Sequence, residues 1–232
     1  MEETGHIAAN MRHVQEVIAA ACAKSGRNSS DVKLIAVSKT KPVCDMMEAY
    51  AAGCRDFGEN YVQEILEKEG QLPKDARIHM IGHLQTNKAG KIIEQVAMIH
   101  AVDTIHLAES LEKQAVKHSR AEVPILLEVN VAEEESKFGF QLSEVDAAVR
   151  TVRENCPHLK LEGLMTSAPY TEKPEENRIY FRKLREAAEK NHLHALSMGM
   201  TNDYAVAVEE GATMVRVGTA IFGARDYGAK QQ

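Results

Sequence analysis

The chain has 232 residues, of which 44% are hydrophobic and 27% are charged, and its formal net charge at pH 7 is −6. This length and apolar content suffice for one large domain or two small ones with a sizeable core. The negative charge argues against a nucleic-acid surface, because a phosphate backbone requires a net basic face. Any phosphate bound here must therefore meet local donors.

The cysteines and the N-terminus suggest where the protein works. Four scattered cysteines show no CxxC spacing, so the sequence indicates neither a disulfide framework nor a zinc site. The N-terminus lacks the basic and apolar regions of a signal peptide. No apolar run approaches the roughly 20 residues of a membrane span. We therefore expect a cytoplasmic protein that contacts neither membranes nor nucleic acid.

Short β-rich runs alternate with segments of helical spacing along the whole chain. A first helix is predicted at 7–24. The predicted strands are 33–38, 55–57, 77–81, 98–102, 124–130, 161–165, 195–198 and 214–217. The helices between and after them are predicted near 43–53, 60–68, 87–95, 104–118, 143–154, 174–191 and 202–211, with Ser143 as an N-cap.

Eight strands that alternate with helices predict an α/β fold with a parallel sheet. The sheet could close as a compact (β/α)8 TIM barrel, with the extra N-terminal helix against its base or side; a doubly wound open sheet is the alternative. We expect residues 1–232 to form a single domain. In such a barrel the functional residues follow the carboxyl ends of the strands.

Lys39 follows the first predicted strand and suits a covalent cofactor site. If 33–38 forms a regular strand, Lys39 lies at its carboxyl end. An unprotonated, desolvated lysine there could attack an aldehyde and form a Schiff base. The alternative is a strand-end lysine that extends into solvent. Lys41 precedes Pro42, which suits the first turn of a helix, so we expect Lys41 to face outward.

The last two strands are followed by residues that suit phosphate binding. Gly199 and Thr201 follow the seventh strand, and Gly218 and Thr219 follow the eighth. Barrels commonly bind phosphate on these two loops. Glycine lets backbone N–H groups approach an anion, and threonine adds a hydroxyl donor. Each pair alone could instead serve a tight turn or a helix cap.

Arg216 lies inside the apolar strand 214–217 and therefore requires a partner. One interpretation is an ion pair with a carboxylate inside the barrel. The other is a donor to a pyridine nitrogen. Since arginine stays protonated, that nitrogen would stay unprotonated, and the ring would be a weaker electron sink than one paired with aspartate.

Three histidines stand out without a clear role. His83 could act as an acid or base, or could simply hydrogen-bond a loop. His192 and His194 form an HxH pair, but the sequence shows no third ligand at a suitable spacing. The sequence therefore predicts no metal site.

Six segments in order carry a family resemblance that covers nearly the whole chain. They are AVSKTK (36–41), FGENYVQE (57–64), IGHLQTNK (81–88), GLMT (163–166), LSMGMT (196–201) and VRVGTAIFGAR (215–225). Together they resemble the YggS/PROSC family of pyridoxal-phosphate homeostasis proteins. The resemblance implies a barrel related to the N-terminal domain of alanine racemase.

The resemblance also implies the cofactor and its contacts. Pyridoxal 5′-phosphate should be held as an aldimine of Lys39, with Arg216 facing the pyridine nitrogen. Asn60 and Met165 should lie near the ring. The residues expected around the phosphate are Ser197, Thr201, Gly218 and Thr219.

The same resemblance favours a cofactor carrier over an enzyme. In related racemases the second base comes from an extra β-domain and a partner subunit, and a chain that ends at Gln232 has no room for that domain. We therefore expect a monomeric cofactor carrier without robust turnover, in transient contact with pyridoxal-phosphate-dependent enzymes. Amino acids or 2-oxo acids would be further small-molecule partners. The alternatives are a weak amino-acid racemase or related enzyme, and a structural barrel in which Lys39 is incidental.

Overall fold

The computed structural model of the protein describes residues 6–134 and 136–224. Its strands are β1 (Lys33–Val37), β2 (Asp56–Glu59), β3 (Arg77–Met80), β4 (Met98–Val102), β5 (Val123–Glu128), β6 (Leu159–Met165), β7 (Ala195–Met200) and β8 (Met214–Val217). The α-helices in these residues are α1 (His6–Lys24), α2 (Val43–Ala51), α3 (Val62–Lys68), α4 (Ala89–Ile92), α5 (Ile105–Lys117), α6 (Val145–Asn155), α7 (Arg178–Lys190), α8 (Tyr204–Glu209) and α9 (Thr219–Phe222).

The eight strands form a closed parallel barrel in chain order. β8 closes the barrel by pairing with β1, from Lys33 opposite Met214 to Ala36 opposite Val217. An open sheet would leave its two outer strands each with an unpaired edge. The predicted (β/α)8 barrel with an N-terminal helix is therefore confirmed, and the open-sheet alternative is wrong.

The predicted elements match the observed ones with shifted ends. The predicted strand 55–57 is Asp56–Glu59, and the predicted helix 87–95 is a 3₁₀ turn (Thr86–Lys88) that leads into the short α4. Gly90 lies within α4, and glycine weakens a helix by roughly 1 kcal/mol relative to alanine. Low intrinsic helix propensity at this point therefore helps to explain the short element.

The predicted N-cap at Ser143 is wrong. Ser143 lies within a 3₁₀ turn (Leu142–Glu144) that precedes α6. The exposed donor at the start of this turn is the backbone N–H of Gln141, which donates to Oε2 of Glu144 at 2.8 Å. A carboxylate one turn later thus does the capping that a serine hydroxyl was expected to do.

Helix α1 packs on the side of the barrel, against α2, α8 and α9. Its buried face includes Ile7, Met11, Val14 and Ile18. These positions recur at intervals of three and four residues, so they form one apolar stripe. Asn10 Nδ2 also donates to the carbonyl of Ile221 at 2.9 Å. Because α9 has only four residues, α1 covers much of the wall beside β8 and β1.

The apolar core has two parts. The larger part fills the space between the strands and the surrounding helices. The smaller part comprises Ile35, Met98, Ala101, Leu126, Met165 and Met214. The buried polar residues include Asp56, His79, His100, Ser197 and Arg216. No helix within residues 6–134 and 136–224 is long and apolar enough to cross a bilayer.

Candidate functional site

Lys39 lies in a tight turn directly beyond the carboxyl end of β1 and is half-buried. The strand continues as far as Ser38, whose N–H donates to the carbonyl of Gly58 at 3.0 Å. The turn then closes when the N–H of Lys41 donates to the carbonyl of Ser38 at 3.0 Å. Thr40 takes a left-handed φ of 63°, which side chains rarely adopt without support.

A buried ionic cluster supports this turn from below. The ammonium group of Lys68 donates to Glu59 at 2.9 Å, to Glu64 at 2.5 Å and to the carbonyl of Ser38 at 3.0 Å. Glu64 also accepts the N–H of Thr40 at 2.8 Å. Burial raises the pKa of Glu59, although Ser38 and Lys68 donate to it. The backbone on both sides of Lys39 is therefore held by α3 and β2.

The neighbouring lysine is directed elsewhere. Lys41 Nζ donates to the carbonyls of Phe222 at 2.9 Å and Ala224 at 3.0 Å. These carbonyls lie at the end of α9, so the amine of Lys41 is engaged with backbone. The two lysines of the AVSKTK segment thus have different surroundings.

The loops after β7 and β8 meet next to β1. The N–H of Gly218 lies 3.2 Å from Oγ1 of Thr201. A Cβ atom on Gly218 would lie 3.4 Å from Val37 in β1. Thr219 begins α9 and is exposed. A backbone N–H, a hydroxyl and the end of β1 therefore lie close together, as the two-loop prediction required.

Gly199 allows the loop after β7 to approach α8. Its φ is +91°, and an added Cβ would lie 2.5 Å from Cβ of Ala207 and 2.9 Å from Cα of Tyr204. Asp203 fixes the same loop by accepting the N–H of Met200 at 2.7 Å and an amide N–H of Asn177 at 2.8 Å. Only glycine fits this close approach of the backbone.

Arg216 is buried, and its contacts in the barrel are to neutral oxygens. Nη1 donates to Oγ of Ser197 at 2.7 Å, while Nη2 donates to the carbonyl of Thr166 at 2.8 Å and reaches Oγ of Ser167 at 3.3 Å. A guanidinium has five N–H groups, so the Nε–H and one Nη1–H are left over. Burial lowers the pKa of Arg216 to about 10, against the nearby carboxylate of Glu128.

The other predicted residues occupy neighbouring strand ends. Asn60 follows β2 and is half-buried, and Met165 ends β6 within the interior apolar cluster. Ser197 pairs in register with Met165, and its buried hydroxyl contacts Arg216 and His100. The hydroxyl of Ser197 is therefore turned into the barrel, whereas Thr201 lies in the loop.

The predicted site residues thus lie in or directly after β6, β7, β8, β1 and β2, which are consecutive around the barrel. This arrangement places them on one continuous side of the barrel. Arg225, the last residue of the VRVGTAIFGAR segment, lies outside the described residues.

Four interior polar residues were missed by the sequence reasoning. Asp56, His79 and His100 are buried in β2, β3 and β4, and Glu128 ends β5. Each interrupts or borders an apolar strand, which is the signal that drew attention to Arg216. Applying that signal to every strand would have found them.

His83 forms a pair with Asp103 at the carboxyl ends of β3 and β4. Its Nδ1 lies 2.7 Å from Oδ2 of Asp103, and its ring stacks on Phe138 at 3.8 Å between ring centres. Glu128 interacts electrostatically with both partners. Burial and the charge of Asp103 raise the pKa of Glu128 to about 7.

Comparisons with known proteins agree with this architecture. The model of the family described as alanine racemase, N-terminal domain, matches residues 4–226. A pyridoxal phosphate homeostasis protein of Aquifex aeolicus is 42% identical over 224 residues, which cover 94% of this chain and 97% of that protein. The chain belongs to the family of pyridoxal phosphate homeostasis proteins. Another member, from Escherichia coli, is 39% identical, with 97% of this chain and 99% of that protein covered.

Solved structures similar to this chain share the barrel. PipY of Synechococcus elongatus, solved with pyridoxal phosphate bound, is 36% identical with a TM-score of 0.77, and the match covers 90% of this chain and 100% of PipY. An alanine racemase from Corynebacterium glutamicum has a TM-score of 0.72 at 17% identity. That match covers 95% of this chain and 60% of the racemase, and it shows the shared fold alone.

Proposed function

We propose that this protein binds pyridoxal 5′-phosphate through Lys39 and contributes to intracellular vitamin B6 homeostasis as a carrier. The observation that carries this proposal is the convergence on one rim of three elements: the Lys39 turn, the joined loops after β7 and β8, and the unused N–H groups of Arg216. The relatives named for pyridoxal phosphate homeostasis and the cofactor-bound structure of PipY support the same ligand.

Each part of the rim suits one part of the cofactor. Lys39 would be the attachment residue, and Arg216 would donate an unused N–H to the pyridine nitrogen. Asn60 and Met165 would lie near the ring. The donors for the phosphate would be Thr201, Gly218 and Thr219. The sequence-based role of Ser197 at the phosphate remains a prediction, but its contacts with Arg216 and His100 favour a place beneath the ring.

Pyridoxal phosphate supplies an aldehyde, which condenses with a primary amine with the release of water. Arg216 keeps its own proton and holds the ring nitrogen as an acceptor, which limits the ring as an electron sink. This electronic setting favours holding and exchanging the cofactor over sustained carbanion chemistry.

Borohydride trapping tests the attachment. Purified protein is incubated with pyridoxal phosphate, reduced and mapped by peptide mass. We expect the label on Lys39 and none in Lys39→Ala. Lys41→Arg is the matched control, since it preserves a cation for the carbonyls of Phe222 and Ala224, and it should keep the label on Lys39. A wild-type label confined to other lysines would contradict the proposal.

A weak racemase or related enzyme is the second candidate. It is favoured by the pair of His83 and Asp103, because a histidine oriented by a carboxylate is a common general acid or base. Exchange of the α-hydrogen of amino acids in deuterated water separates the two functions. A carrier should give no more exchange than free pyridoxal phosphate, whereas sustained exchange that is lost in His83→Gln would establish the enzyme.

The wider biological setting belongs to the same proposal. We infer that residues 1–232 form one domain of a monomeric cytoplasmic protein. It would deliver the cofactor during transient contact with pyridoxal-phosphate-dependent enzymes, and amino acids or 2-oxo acids could bind as well. Light scattering of the loaded protein tests the monomer. The rate at which it activates a cofactor-free aminotransferase, compared with free cofactor, tests delivery.

A further inference from the structure

We propose that Asp56, His79, His100 and Ser197 are positioning residues that hold Arg216 through one continuous, one-directional chain of hydrogen bonds across the barrel interior. Their effect on a bound cofactor rests on the proposed function, but the chain itself belongs to the protein alone. None of the four is assigned to cofactor contact in this role; they act through Arg216.

The chain crosses the barrel in four hydrogen bonds between buried side chains. Arg216 Nη1 lies 2.7 Å from Oγ of Ser197, and that oxygen lies 2.9 Å from Nδ1 of His100. Nε2 of His100 lies 3.0 Å from Nδ1 of His79, and Nε2 of His79 lies 2.8 Å from Oδ1 of Asp56. All four distances are in the range of ordinary hydrogen bonds.

The far end of the chain is a fixed anion. Arg77 donates to both oxygens of Asp56, at 2.8 and 2.6 Å. Lys33 Nζ lies 3.7 Å from the same carboxylate. Burial opposes ionisation, but the hydrogen bonds from Arg77 and His79 lower the pKa of Asp56 well below its ordinary value. Asp56 is therefore an acceptor only.

With both rings neutral, the two ends determine the direction of every bond between them. A guanidinium can only donate and a carboxylate can only accept. His79 must therefore carry its proton on Nε2 to meet Asp56. A neutral His79 then accepts at Nδ1, so His100 must carry its proton on Nε2.

The same logic completes the chain at Ser197. A neutral His100 accepts at Nδ1, so Ser197 donates its hydroxyl proton there and accepts from Arg216 with a lone pair. Every contact then has one donor and one acceptor. The arrangement requires both rings to be neutral, because protonation of His79 at Nδ1 would set it against the Nε2–H of His100.

The surroundings of the two rings favour the neutral forms. Burial lowers the pKa of His79, with Lys33 and Arg77 acting in the same direction and Asp56 opposing them. Burial, His79 and Arg216 hold the pKa of His100 well below its ordinary value. Burying two histidines costs free energy unless their ring nitrogens are hydrogen-bonded, so the chain stabilises them as one specific pair of tautomers.

The consequence falls on Arg216. Ser197 holds Nη1 from the interior, while Thr166 and Ser167 hold Nη2. The guanidinium plane is therefore clamped on two nitrogens, which leaves the Nε–H and one Nη1–H with a fixed direction. A hydroxyl that could rotate freely would not provide this restraint, whereas a hydroxyl bonded to His100 does.

Nitrogen-15 NMR of the histidine rings tests the chain without any cofactor. In cofactor-free wild-type protein at neutral pH, both His79 and His100 should be neutral with the proton on Nε2. Resonances are assigned with His79→Phe and His100→Phe. An Nδ1–H tautomer or a cationic ring at either position would overturn the proposal, because the hydrogen bonds would then not all run from Arg216 toward Asp56.

The absorption spectrum of the loaded protein tests the effect on Arg216. Ser197→Ala removes one oxygen, and His100→Phe removes the acceptor behind it. Both should keep the borohydride label on Lys39 but shift the absorption maximum of the bound cofactor, with about three- to tenfold weaker binding, as expected for one lost hydrogen bond. Ser197→Ala should have the larger effect, because Ser197 contacts Arg216 directly.

Met98→Ala is the control for lost packing, since Met98 is buried in the interior apolar cluster next to this chain. It should lower stability with the cofactor spectrum unchanged. A wild-type spectrum in both Ser197→Ala and His100→Phe would reduce the chain to a structural role and overturn the proposal. Absence of any Lys39 label in the wild type would refute the proposed function. The NMR experiment alone would then test whether the chain of hydrogen bonds exists.

Discussion

The rim and the interior of this barrel both carry polar side chains, but these side chains use their hydrogen bonds differently. In the interior, Asp56, His79 and His100 are bonded to one another in sequence. At the rim, Thr219 is exposed, and Arg216 keeps two N–H groups beyond its contacts with the protein.

This difference indicates which polar groups can bind a ligand and which ones hold other side chains in place. A buried group whose donors and acceptors all have partners in the protein gains nothing from a ligand. A group that the protein holds on one side, and that keeps unused donors on the other side, can bind a ligand without first rearranging. Arg216 belongs to both regions, since it ends the interior chain and begins the rim.

Arg216→Glu should have the largest effect on stability, because Arg216 connects the interior to the rim. It removes the donor to Ser197 and places a second carboxylate near Glu128. We expect a loss of about 4 kcal/mol in the free energy of unfolding, measured by urea denaturation of cofactor-free protein. The loaded protein should show altered aldimine tautomerism and new side reactions. Arg216→Lys is the milder control, and an unchanged spectrum in Arg216→Glu would contradict contact with the ring.

Asp56→Asn should weaken the interior, with a smaller effect on the rim. It removes the anion that Arg77 and His79 share, at a cost of about 3 kcal/mol at pH 7. Because the folded-state pKa of Asp56 is lowered, its stabilisation is present above the unfolded pKa of about 3.9 and is lost as the pH falls toward the folded value.

The two proteins should therefore approach each other in stability below about pH 4. Asp75→Asn is the matched control, because Asp75 pairs with Arg55 at the surface, where 61% of its side chain is exposed. It should cost much less than Asp56→Asn, because an exposed ion pair is screened by solvent. Equal losses in unfolding free energy for the two variants at pH 7 would show that the buried carboxylate of Asp56 stabilises the protein no more than a surface carboxylate does.

Gly199→Ala should disturb the rim alone. The change forces alanine to a φ of +91° and into contact with Ala207 and Tyr204. We expect a loss of about 2–3 kcal/mol in unfolding free energy and weaker cofactor binding. Gly53→Ala is the control, because Gly53 has a φ of +98° and an added Cβ would meet nothing within 4 Å. Its loss in unfolding free energy, about 1 kcal/mol, measures the cost of the left-handed backbone without a steric clash. Similar losses in both variants would exclude a steric role for Gly199.

Glu128→Gln should give the smallest effect, and its size depends on pH. The pKa of Glu128 is raised to about 7, so the folded protein holds a proton that the unfolded chain releases above an ordinary pKa of about 4.3. Wild-type stability therefore falls as the pH rises through this window.

By pH 8 the glutamine variant should be more stable by about 2 kcal/mol, a value reduced for the partial exposure of Glu128, and by pH 4 the difference should vanish. Unfolding at the two pH values measures it. Glu122→Gln, at an exposed position before β5, should differ from wild type by under about 0.5 kcal/mol at both. A pH-independent difference at Glu128 would mean that this carboxyl stays ionised.

Sequence reasoning went furthest where a residue and its strand are neighbours in the chain. The eight strands, the position of Lys39 after β1 and the two glycine-containing loops all follow from local patterns. Arg216 was noticed because one charge stood in an apolar strand. The Ser143 cap failed because the helical segment begins before Ser143, with Gln141 as its N-cap, and Glu144 accepts the N–H of Gln141.

The interior chain shows what local patterns cannot supply. His100 and Ser197 are 97 residues apart, and Arg216 and Thr166 are 50 apart. Each of these residues is simply an unexplained polar group in its own strand. Their partners are decided by which strands become neighbours and by the register in which they pair.

The sequence alone therefore determined the barrel, the lysine and the phosphate-type loops, because alternating strands and helices and short motifs are written within a few residues of one another. Only the tertiary structure decided which part of the rim these residues share and how Arg216 is held. Barrel closure beside β1 joins β8 to it, and the burial of Asp56, His79, His100 and Ser197 restricts their partners to one another and to Arg77, Lys33 and Arg216. That enforced pairing makes the direction of the hydrogen bonds a property of the fold.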